Sequence, residues 1–351
     1  MMKKHYLILL LLFVMTATGI ACTSFVLPGE QVLLAKNLDW ELDRGYLFFN
    51  LDGIHKTSIM DSSLTWTAKY KSITNNQFGK EFPLGGMNEA GLVIEELSLF
   101  GQPYTCDESK QLLNEFQWVQ YQLDNSANIS DVIQSLEKIT IRHAIMNLHY
   151  LLADKEGNTA VVECLEAGVV VYSGEDLPYK VLSNNNYKEG IRYLGFFEGY
   201  GGEMKVQHRQ GSQERFVSAV SMLDHFTPDL DALNYSFHIL NTVKQEDTRW
   251  QFIYGLKDLS IKYKTHGISG EFGMGFEDLK KIRHNKFAIR LFGDKHKQVK
   301  MKGGKNKEHL KYIQGELDEY FPGNESIYDL MVIEGNKSLR TRAKKQTSIT
   351  R

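Results

Sequence analysis

Thr18-Gly-Ile-Ala-Cys-Thr-Ser-Phe25 is the stretch that decides how this chain is organised, because an apolar leader ends in it and a strand-rich chain begins in it. Cleavage after Ala21 would place Cys22 at the N-terminus of the mature chain. A cysteine in that position carries a thiol and an α-amine on one residue, which are a nucleophile and a base in reach of each other. Cys22 is therefore the candidate catalytic nucleophile.

The leader has the three parts of a secretory signal peptide, predicted to span residues 1–21. A basic start at Lys3 precedes the apolar run Tyr6–Val14, and the small residues Gly19 and Ala21 stand at −3 and −1 before the cut. The apolar run is shorter than the about 20 residues that cross a bilayer. We therefore expect an exported protein, periplasmic or secreted, with no stable membrane insertion after cleavage.

Two alternatives for the leader remain open at this point. It can stay uncleaved as an N-terminal anchor. A cysteine directly after a leader is also where bacterial lipoproteins are acylated, although that signal usually has leucine at −3 and this chain has Gly19. Acylation would block the thiol of Cys22, and the chain would then be a lipidated, non-catalytic binding protein.

Composition limits the class of partner. The 351 residues carry a net charge of −2, and this near balance argues against a nucleic-acid partner. The hydrophobic content of 42% is ordinary for a globular protein. The cysteines are Cys22, Cys106 and Cys164, so an exported chain can bridge Cys106 to Cys164 and leave Cys22 free. The alternative is that Cys106 and Cys164 are buried as small hydrophobic residues.

The chain behind the leader alternates between blocks of predicted strands and blocks of predicted helices, which indicates a layered α+β fold. The predicted strands are Cys22–Leu27, Gln31–Lys36, Tyr46–Asn50, Thr65–Thr74, Gly91–Leu97, His149–Asp154, Thr159–Glu163, Val169–Tyr172, Trp250–Tyr254, Leu259–Tyr263 and Ala288–Phe292. The predicted helices are Gln111–Leu123, Ser130–Ile139 with Ser130 as N-cap, and a block from Arg215 to Val243 that Pro228 breaks, with Thr227 as the second cap. We expect a single domain over 22–335, a solvated basic loop over Lys295–Lys307 and a polar, basic tail over 336–351.

Candidate groups that can serve Cys22 lie at strand ends. Asp39, in Lys36-Asn-Leu-Asp-Trp40, can accept a hydrogen bond from the α-ammonium, or it can be a turn carboxylate. Lys36 can lower the pKa of the Cys22 thiol, or it can be a solvated cation at a strand end. Asn184, in Leu182-Ser-Asn-Asn-Asn-Tyr187, can donate to an oxyanion or belong to a plain turn.

Arg215 opens the second helical block, where its guanidinium can hold a carboxylate or simply face solvent. Histidine and cysteine spacings typical of metal sites do not occur, and neither does a Gly-x-Ser-x-Gly elbow or a phosphate-binding glycine loop. The sequence therefore predicts neither a metal nor a cofactor.

Taken together and in this order, five motifs resemble the choloylglycine hydrolase family. They are the leader followed by Cys22-Thr-Ser-Phe25, Lys36-Asn-Leu-Asp39, Gly85-Gly-Met-Asn-Glu-Ala-Gly-Leu92, Leu182-Ser-Asn-Asn185 and Glu214-Arg-Phe216. The family includes conjugated bile salt hydrolases and penicillin V acylases, and it belongs to the N-terminal nucleophile class. The resemblance covers about Cys22 to Phe292.

The resemblance implies a four-layer αββα fold, with two packed, mostly antiparallel sheets between helical layers. It implies that Cys22 is the nucleophile, Asp39 the carboxylate that orients its amine, Asn184 the oxyanion-hole amide and Arg215 the arginine near the nucleophile. The expected reaction is hydrolysis of a small non-peptide linear amide through an acyl thioester, without a cofactor. A homo-oligomer is also expected, since tetramers are common in the family.

Two positions depart from the family pattern. The usual arginine three residues before the aspartate is Lys36 here, which keeps the charge but not the planar fork. Bile salt hydrolases have asparagine, and penicillin V acylases tyrosine, where this chain has Ser98. Ser98 can lend a hydroxyl or its backbone N–H to the oxyanion. The acyl group and the amine therefore stay open: a bile salt conjugate, penicillin V or another N-acyl amine.

Overall fold

The structure is a computed structural model, and it describes residues 21–280, 282, 284–318 and 322–341. The predicted signal peptide, except Ala21, and the end of the predicted tail beyond residue 341 lie outside the described residues. Cys22 is joined to Ala21 by a peptide bond in this structure, and both residues belong to one strand.

Strands and helices alternate in blocks along the chain. The strands are β1 (Ala21–Leu27), β2 (Leu33–Asp39), β3 (Tyr46–Asn50), β4 (His55–Thr57), β5 (Thr65–Thr67), β6 (Ser72–Asn76), β7 (Gly85–Asn88), β8 (Val93–Ser98), β9 (Gln111–Asn114), β10 (Ile139–Arg142), β11 (Leu148–Ala153), β12 (Thr159–Leu165), β13 (Gly168–Ser173), β14 (Val181–Leu182), β15 (Thr248–Gly255), β16 (Ser260–Thr265), β17 (Phe272–Gly275), β18 (Phe287–Arg290) and β19 (Lys297–Lys300). The helices are α1 (Glu115–Asn125), α2 (Ile129–Ser135), α3 (Tyr187–Leu194), α4 (Ser212–Asp224), α5 (Ala232–Thr242), α6 (Phe276–Leu279), α7 (Gly303–Leu317) and α8 (Glu325–Arg340).

Two large antiparallel sheets form the centre of the fold. One sheet has the order β14-β1-β2-β15-β16-β17, and the other has the order β13-β12-β11-β8-β7-β6-β3-β18-β19. Strand β1 packs against β8 and β11 of the second sheet, α4 and α5 cover the outer face of the first, and α1 covers the second. The expected α+β architecture, with two sheets between helical layers, is confirmed.

The first hairpin, formed by β1 and β2, fixes the positions of Cys22 and Asp39 relative to each other. Strand β1 pairs with β2 in a register that places Cys22 opposite Leu38 and Ala21 opposite Asp39. Every residue of β2 is buried, because one face packs on the second sheet and the other on α5. Both faces of such a strand lose contact with water, so its polar side chains must find partners inside the protein.

Two predicted helices begin or end at other residues than expected. Gln111–Asn114, predicted as the start of a helix, forms strand β9, which is parallel to β10. The helix begins only at Glu115, because the Asn114 side chain accepts a hydrogen bond from the Gln117 amide at 2.7 Å. The helix predicted from Ser130 is instead capped by Asn128, which accepts from the Asp131 amide at 3.0 Å. The last residue of the predicted helix, Ile139, is the first residue of β10. A side-chain cap determines where each helix begins. The periodicity of apolar residues in the sequence does not show which polar residue provides that cap.

The C-terminal third differs more from the expectation. The second helix of the predicted block, α5, is capped by Asp231 and not by Thr227. The Asp231 side chain accepts from the Asn234 amide at 2.7 Å. The expected loop Lys295–Lys307 contains β19 and the start of α7. Helix α8 continues through the expected start of the tail at residue 336, and its Ser338 and Leu339 are buried.

Candidate active site

Strand alternation divides the residues of β1 and β2 between two faces, since successive side chains point to opposite sides of a sheet. Lys36 reaches Glu95 and Glu96 on the second sheet, and Cys22 lies on the same face of the hairpin. Asn37 faces the helical layer, where its Nδ2 donates to the Leu240 carbonyl at 2.8 Å. The thiol therefore points between the sheets, while Asp39 points towards α4 and α5.

The backbone nitrogen of Cys22 is held by the side chain of Asn184. Its N–H donates to Asn184 Oδ1 at 2.8 Å. Pairing of β14 with β1, with Leu182 opposite Ser24, brings Asn184 beside Cys22 across 162 residues of chain. This nitrogen is an amide here, and it is the atom that a cut after Ala21 would turn into an α-amine.

The guanidinium of Arg215 ties these groups together from the first turn of α4. One terminal nitrogen donates to the Cys22 carbonyl and to Thr23 Oγ1, and the other donates to Asn184 Oδ1 at 2.8 Å. The first nitrogen also lies 4.0 Å from Asp39 Oδ2. Arg215 is buried, so the solvated-cation alternative is wrong.

Asp39 lies opposite the residue that precedes Cys22. Its Oδ1 accepts a hydrogen bond from the Thr248 hydroxyl, whereas its Oδ2 has no hydrogen-bond partner among the described residues. Burial raises the pKa of the Asp39 carboxyl to about 7, although Arg215 and the Thr248 hydrogen bond oppose the shift. A buried carboxylate oxygen without a donor is suited to receive a cationic group.

Lys36 is buried, which contradicts the alternative of a solvated cation at a strand end. Its Nζ lies 3.3 Å from Glu95 Oε2 and 3.3 Å from Glu96 Oε1, and it donates to the Glu96 carbonyl. Burial raises the pKa of the Cys22 thiol to about 12 in this uncleaved state, and the charge of Lys36 opposes that shift. Lys36 is thus the group that most favours a thiolate at Cys22.

Ser98 reaches the site through its backbone carbonyl, which accepts from Asn184 Nδ2 at 2.8 Å. The sequence instead predicts that the Ser98 hydroxyl or its backbone N–H serves the oxyanion. The carbonyl fixes the orientation of the amide, so that Oδ1 faces the Cys22 nitrogen and Arg215. Phe100, two residues after Ser98, also contacts Asn184, because its backbone N–H donates to the Asn184 carbonyl at 3.0 Å.

Sequence reasoning missed four members of this site: Thr23, Glu95, Glu96 and Thr248. Two adjacent glutamates inside the otherwise apolar strand Val93-Ile-Glu-Glu-Leu97 were a visible signal, because a buried strand rarely carries unpaired acids. Thr248 had no such signal, because it stands 209 residues from Asp39 and reaches it only through the pairing of β15 with β2.

A polar cavity of about 470 Å³ opens on the helical side of the site. Gln210 and Thr248 line it, and they also contact Arg215 and Asp39, respectively. Lys244, Arg249 and His266 supply a mostly cationic wall. The thiol lies on the other face of the sheet, so this cavity borders the groups around the Cys22 nitrogen and not the sulfur.

Other candidate features lie outside this cluster. Within the ranges that the structure describes, no group of histidine, cysteine and acidic side chains is arranged to hold a metal ion. No described helix is long and apolar enough to cross a membrane. All three cysteines are free in this structure, and Cys164 is buried.

Comparison with known proteins identifies a matching family, one curated relative and two similar solved structures. The family described as linear amide C–N hydrolases, choloylglycine hydrolase family, matches residues 22–215. Penicillin V acylase of Pectobacterium atrosepticum is 24% identical over 237 residues, which are 61% of this chain and 62% of that protein. The chain thus spans less than two thirds of the length of this curated relative.

Solved structures agree with the observed architecture. Penicillin V acylase from Agrobacterium tumefaciens superposes with a TM-score of 0.65 at 25% identity, over 77% of this chain and 90% of that one. A variant of conjugated bile acid hydrolase from Clostridium perfringens superposes with a TM-score of 0.63 at 18% identity, over 80% of this chain and 97% of that one. The second likeness concerns the fold alone.

Proposed function

This chain belongs to the choloylglycine hydrolase family of linear amide C–N hydrolases, and we propose that it is an exported amidase whose nucleophile is the N-terminal Cys22 of the mature chain. One observation carries the proposal. The backbone nitrogen of Cys22 is held 2.8 Å from Asn184 Oδ1, in a pocket that also contains Arg215 and the donor-free oxygen of Asp39. These acceptors suit an α-amine better than they suit a peptide N–H, which has a single hydrogen to donate.

Leader removal completes the site in this proposal. Cutting after Ala21 turns the Cys22 amide into an ammonium with three N–H donors. Asn184 Oδ1 accepts one of them and Asp39 Oδ2 another, because Ala21 lies opposite Asp39. The new positive charge stabilises the ionised form of Asp39, and it favours the thiolate at Cys22. The high thiol pKa of the uncleaved chain therefore describes a dormant state.

The reaction follows from these positions. With a pKa of about 7.7 to 8.0, the α-amine is partly neutral near pH 7 and takes the thiol proton. The sulfur attacks the amide carbonyl, and the Asn184 amide with a backbone N–H near Cys22 stabilises the oxyanion. The ammonium then protonates the departing amine, an acyl thioester remains, and water activated by the α-amine releases the acid. No cofactor takes part.

The substrate class is a small N-acyl amide. Relatives named penicillin V acylase and conjugated bile acid hydrolase suggest penicillin V and conjugated bile acids as the first compounds to test. Simple N-acyl amines form the third group. Ser98 stands where bile salt hydrolases have asparagine and penicillin V acylases tyrosine, so we expect the preferred acyl group to differ from that of either relative.

The deciding experiment combines mass and activity on the secreted protein. Intact mass and N-terminal sequencing should give a chain that begins at free Cys22 and gains one rapid carbamidomethyl group from iodoacetamide. Labelled protein should lose hydrolysis of whichever panel amide it accepts. Cys164→Ala is the matched control, since it removes a buried thiol outside the site and should leave labelling and turnover unchanged.

Two results would reject the proposal. A chain that still carries its leader after export has no α-amine at Cys22. A diacylglycerol-sized mass on Cys22 would instead favour the lipidated binding protein. Size-exclusion chromatography with light scattering of the same sample tests the expected homo-oligomer.

A further inference from the structure

Three buried charges form a compact cluster between the two sheets. Lys36 comes from β2 of the first sheet, and Glu95 and Glu96 come from β8 of the second. The Nζ–Oε separations of 3.3 Å to each carboxylate, together with the hydrogen bond to the Glu96 carbonyl, leave the ammonium enclosed by acceptors. All three side chains are at most 2% exposed, so water does not stabilise their charges.

The glutamates are built into the fold and are not incidental neighbours. The Glu95 carboxylate accepts from the Tyr254 hydroxyl and from Asn75 Nδ2, the latter at 3.0 Å. A Cβ atom at position 85 would lie 2.3 Å from that carboxylate, so a side chain there would displace the carboxylate from its present position. The neighbouring strands thus leave space for Glu95 and fix its direction.

A buried lysine needs such partners to remain charged. Burial alone lowers a lysine pKa, by several units for a fully enclosed ammonium, and the group then becomes neutral. Here burial acts in that direction, but Glu96, Cys22 and Glu95 outweigh it and raise the pKa of Lys36 above its ordinary value. The charge at position 36 therefore depends on the two carboxylates.

We propose that Glu95 and Glu96 are positioning residues of the Cys22 site, which keep Lys36 protonated and hold its ammonium where it stabilises the thiolate. The inference rests on the proposed role of Cys22 as nucleophile. It also accounts for the lysine itself. An arginine stays charged when buried without help, whereas a lysine does not. A lysine at position 36 therefore requires the acidic pair on the facing strand.

Other charged and titratable groups lie near the cluster, although Asp39 points to the opposite face of β2. Cys22 lies on β1, Asp39 on β2, His149 on β11 and Tyr254 on β15. His149 lies next to Glu163, with its Nδ1 2.9 Å from that carboxylate, so Glu163 is its direct acidic partner. None of these side chains reaches Lys36 by a hydrogen bond or ion pair in the described part of the chain, which leaves Glu95 and Glu96 as its acidic contacts.

The two glutamates act on the thiol in opposite directions, and this makes the inference testable. Through space, their negative charges disfavour the thiolate. Through Lys36, they supply the positive charge that favours it. Loss of both carboxylates should therefore accelerate iodoacetamide labelling of Cys22 if the direct effect dominates, and slow it if Lys36 transmits the effect.

The experiment measures the labelling rate of Cys22 in the mature protein between pH 6 and 9, by intact mass, for the wild type, E95Q/E96Q, Lys36→Met and the combined triple variant. We expect E95Q/E96Q to label about tenfold or more slowly at pH 7.5, as a thiol pKa raised by at least one unit requires. Lys36→Met should be similarly slow, and adding it to E95Q/E96Q should cause no further loss.

Arginine provides the rescue. Because arginine keeps its charge without carboxylates, K36R/E95Q/E96Q should label within about threefold of the wild type. Glu89→Gln, which removes a partly exposed glutamate of the same β7–β8 hairpin, is the matched control and should label at the wild-type rate. Thermal unfolding establishes that each variant is folded at the temperature of the assay.

Three outcomes overturn the inference. E95Q/E96Q that labels as fast as the wild type or faster shows that the carboxylates do not act through Lys36. Slow labelling that arginine does not restore shows that the glutamates serve packing alone. Absence of labelling at Cys22 in the mature wild type overturns the proposed function as well, whereas normal wild-type labelling leaves that function standing.

Discussion

Two buried clusters in this protein are built alike but have different surroundings. In each, one lysine forms ion pairs with two carboxylates. The site cluster is Lys36 with Glu95 and Glu96, next to Cys22. The brace cluster is Lys56 with Glu81 and Asp124, next to helix α8, where the Ser338 hydroxyl donates to Glu81.

The brace cluster joins parts of the chain that are far apart in sequence. Lys56 lies on β4, Asp124 at the end of α1, and the Asp124 carboxylate also accepts from Trp66 Nε1 at 2.7 Å. Glu81 adopts a φ of 79°, in the left-handed region that is unfavourable for a residue with a side chain, and its ion pair and hydrogen bond offset that cost. This cluster fastens the β4–β5 hairpin and α8 to the sheets.

A buried lysine with two acids is therefore not by itself a sign of catalysis. Charge burial is costly in both clusters, and in both the partners offset the cost. Only the site cluster lies next to Cys22, the proposed nucleophile. Function is therefore assigned by what lies beside the charges, and perturbation of the two clusters should affect different measurements.

The largest expected effect separates chemistry from stability at the site. Cys22→Ala should lower kcat/KM on the accepted amide by roughly 10⁴- to 10⁶-fold, because the nucleophile is lost. Its free energy of unfolding should stay within about 1 kcal/mol of the wild type, since a small buried side chain is exchanged for a slightly smaller one. Turnover that survives this change would remove Cys22 from the mechanism.

The second prediction applies the reverse test to the brace cluster. Lys56→Met leaves the buried Asp124 without the lysine that pairs with it, and leaves Glu81 with only Lys80, whose Nζ lies 4.0 Å away. We expect a loss of about 3 to 5 kcal/mol in the free energy of unfolding. Urea denaturation measures this loss. The control is Lys71→Met, because Lys71 is partly exposed and its pairs with Glu89 and Asp52 should contribute less than about 1 kcal/mol.

Labelling then completes the second test. The folded fraction of Lys56→Met should react with iodoacetamide at Cys22 as fast as the wild type does, because the brace cluster does not contact the thiol. A labelling rate that changes more than about threefold would show that the brace cluster also affects the reactivity of Cys22.

The third prediction concerns the amide that connects the strands of the site. Asn184→Ala removes the acceptor for the Cys22 nitrogen and the proposed oxyanion donor, so kcat should fall by about 10² to 10³. Asn185→Ala, at the next position, is the matched control and should stay near the wild-type rate. Equal losses in both variants would point to a disturbed turn and not to a specific role.

The smallest effect is a pH dependence of stability in the uncleaved chain. Folding raises the pKa of Asp39 to about 7 from an ordinary value near 3.8, so the folded state binds the proton more tightly than the unfolded state. The contribution of Asp39 to stability is therefore complete below about pH 4, and it decreases as pH rises towards 7.

Asp39→Asn tests this sign. Asparagine resembles the protonated carboxyl but does not ionise, so this variant should gain stability relative to the wild type by up to about 1.4 kcal/mol per pH unit between pH 5 and 7. Urea denaturation at several pH values measures the difference. A constant difference across that range would contradict the raised pKa.

Much of the fold and part of the site could be predicted from the sequence. The first hairpin, the β15–β16 hairpin and the layered α+β order follow from local patterns of apolar residues and turns. Helix starts at Glu115 and Ile129 were predicted wrongly, because several polar residues near each start can cap and only the folded chain selects one. Strand β9 was taken for helix because four residues are too few to show a period.

Local sequence patterns were enough to identify the residues that could do chemistry. They are a cysteine after a predicted leader, an aspartate at the end of the returning strand, and an amide and an arginine far downstream. The tertiary structure alone decided that Asn184 and Arg215 meet at Cys22, that Lys36 is buried and not solvated, and that Glu95 and Glu96 enclose it. Strand register and sheet stacking join residues 60 to 193 positions apart, and the local sequence around each residue does not indicate its distant partner.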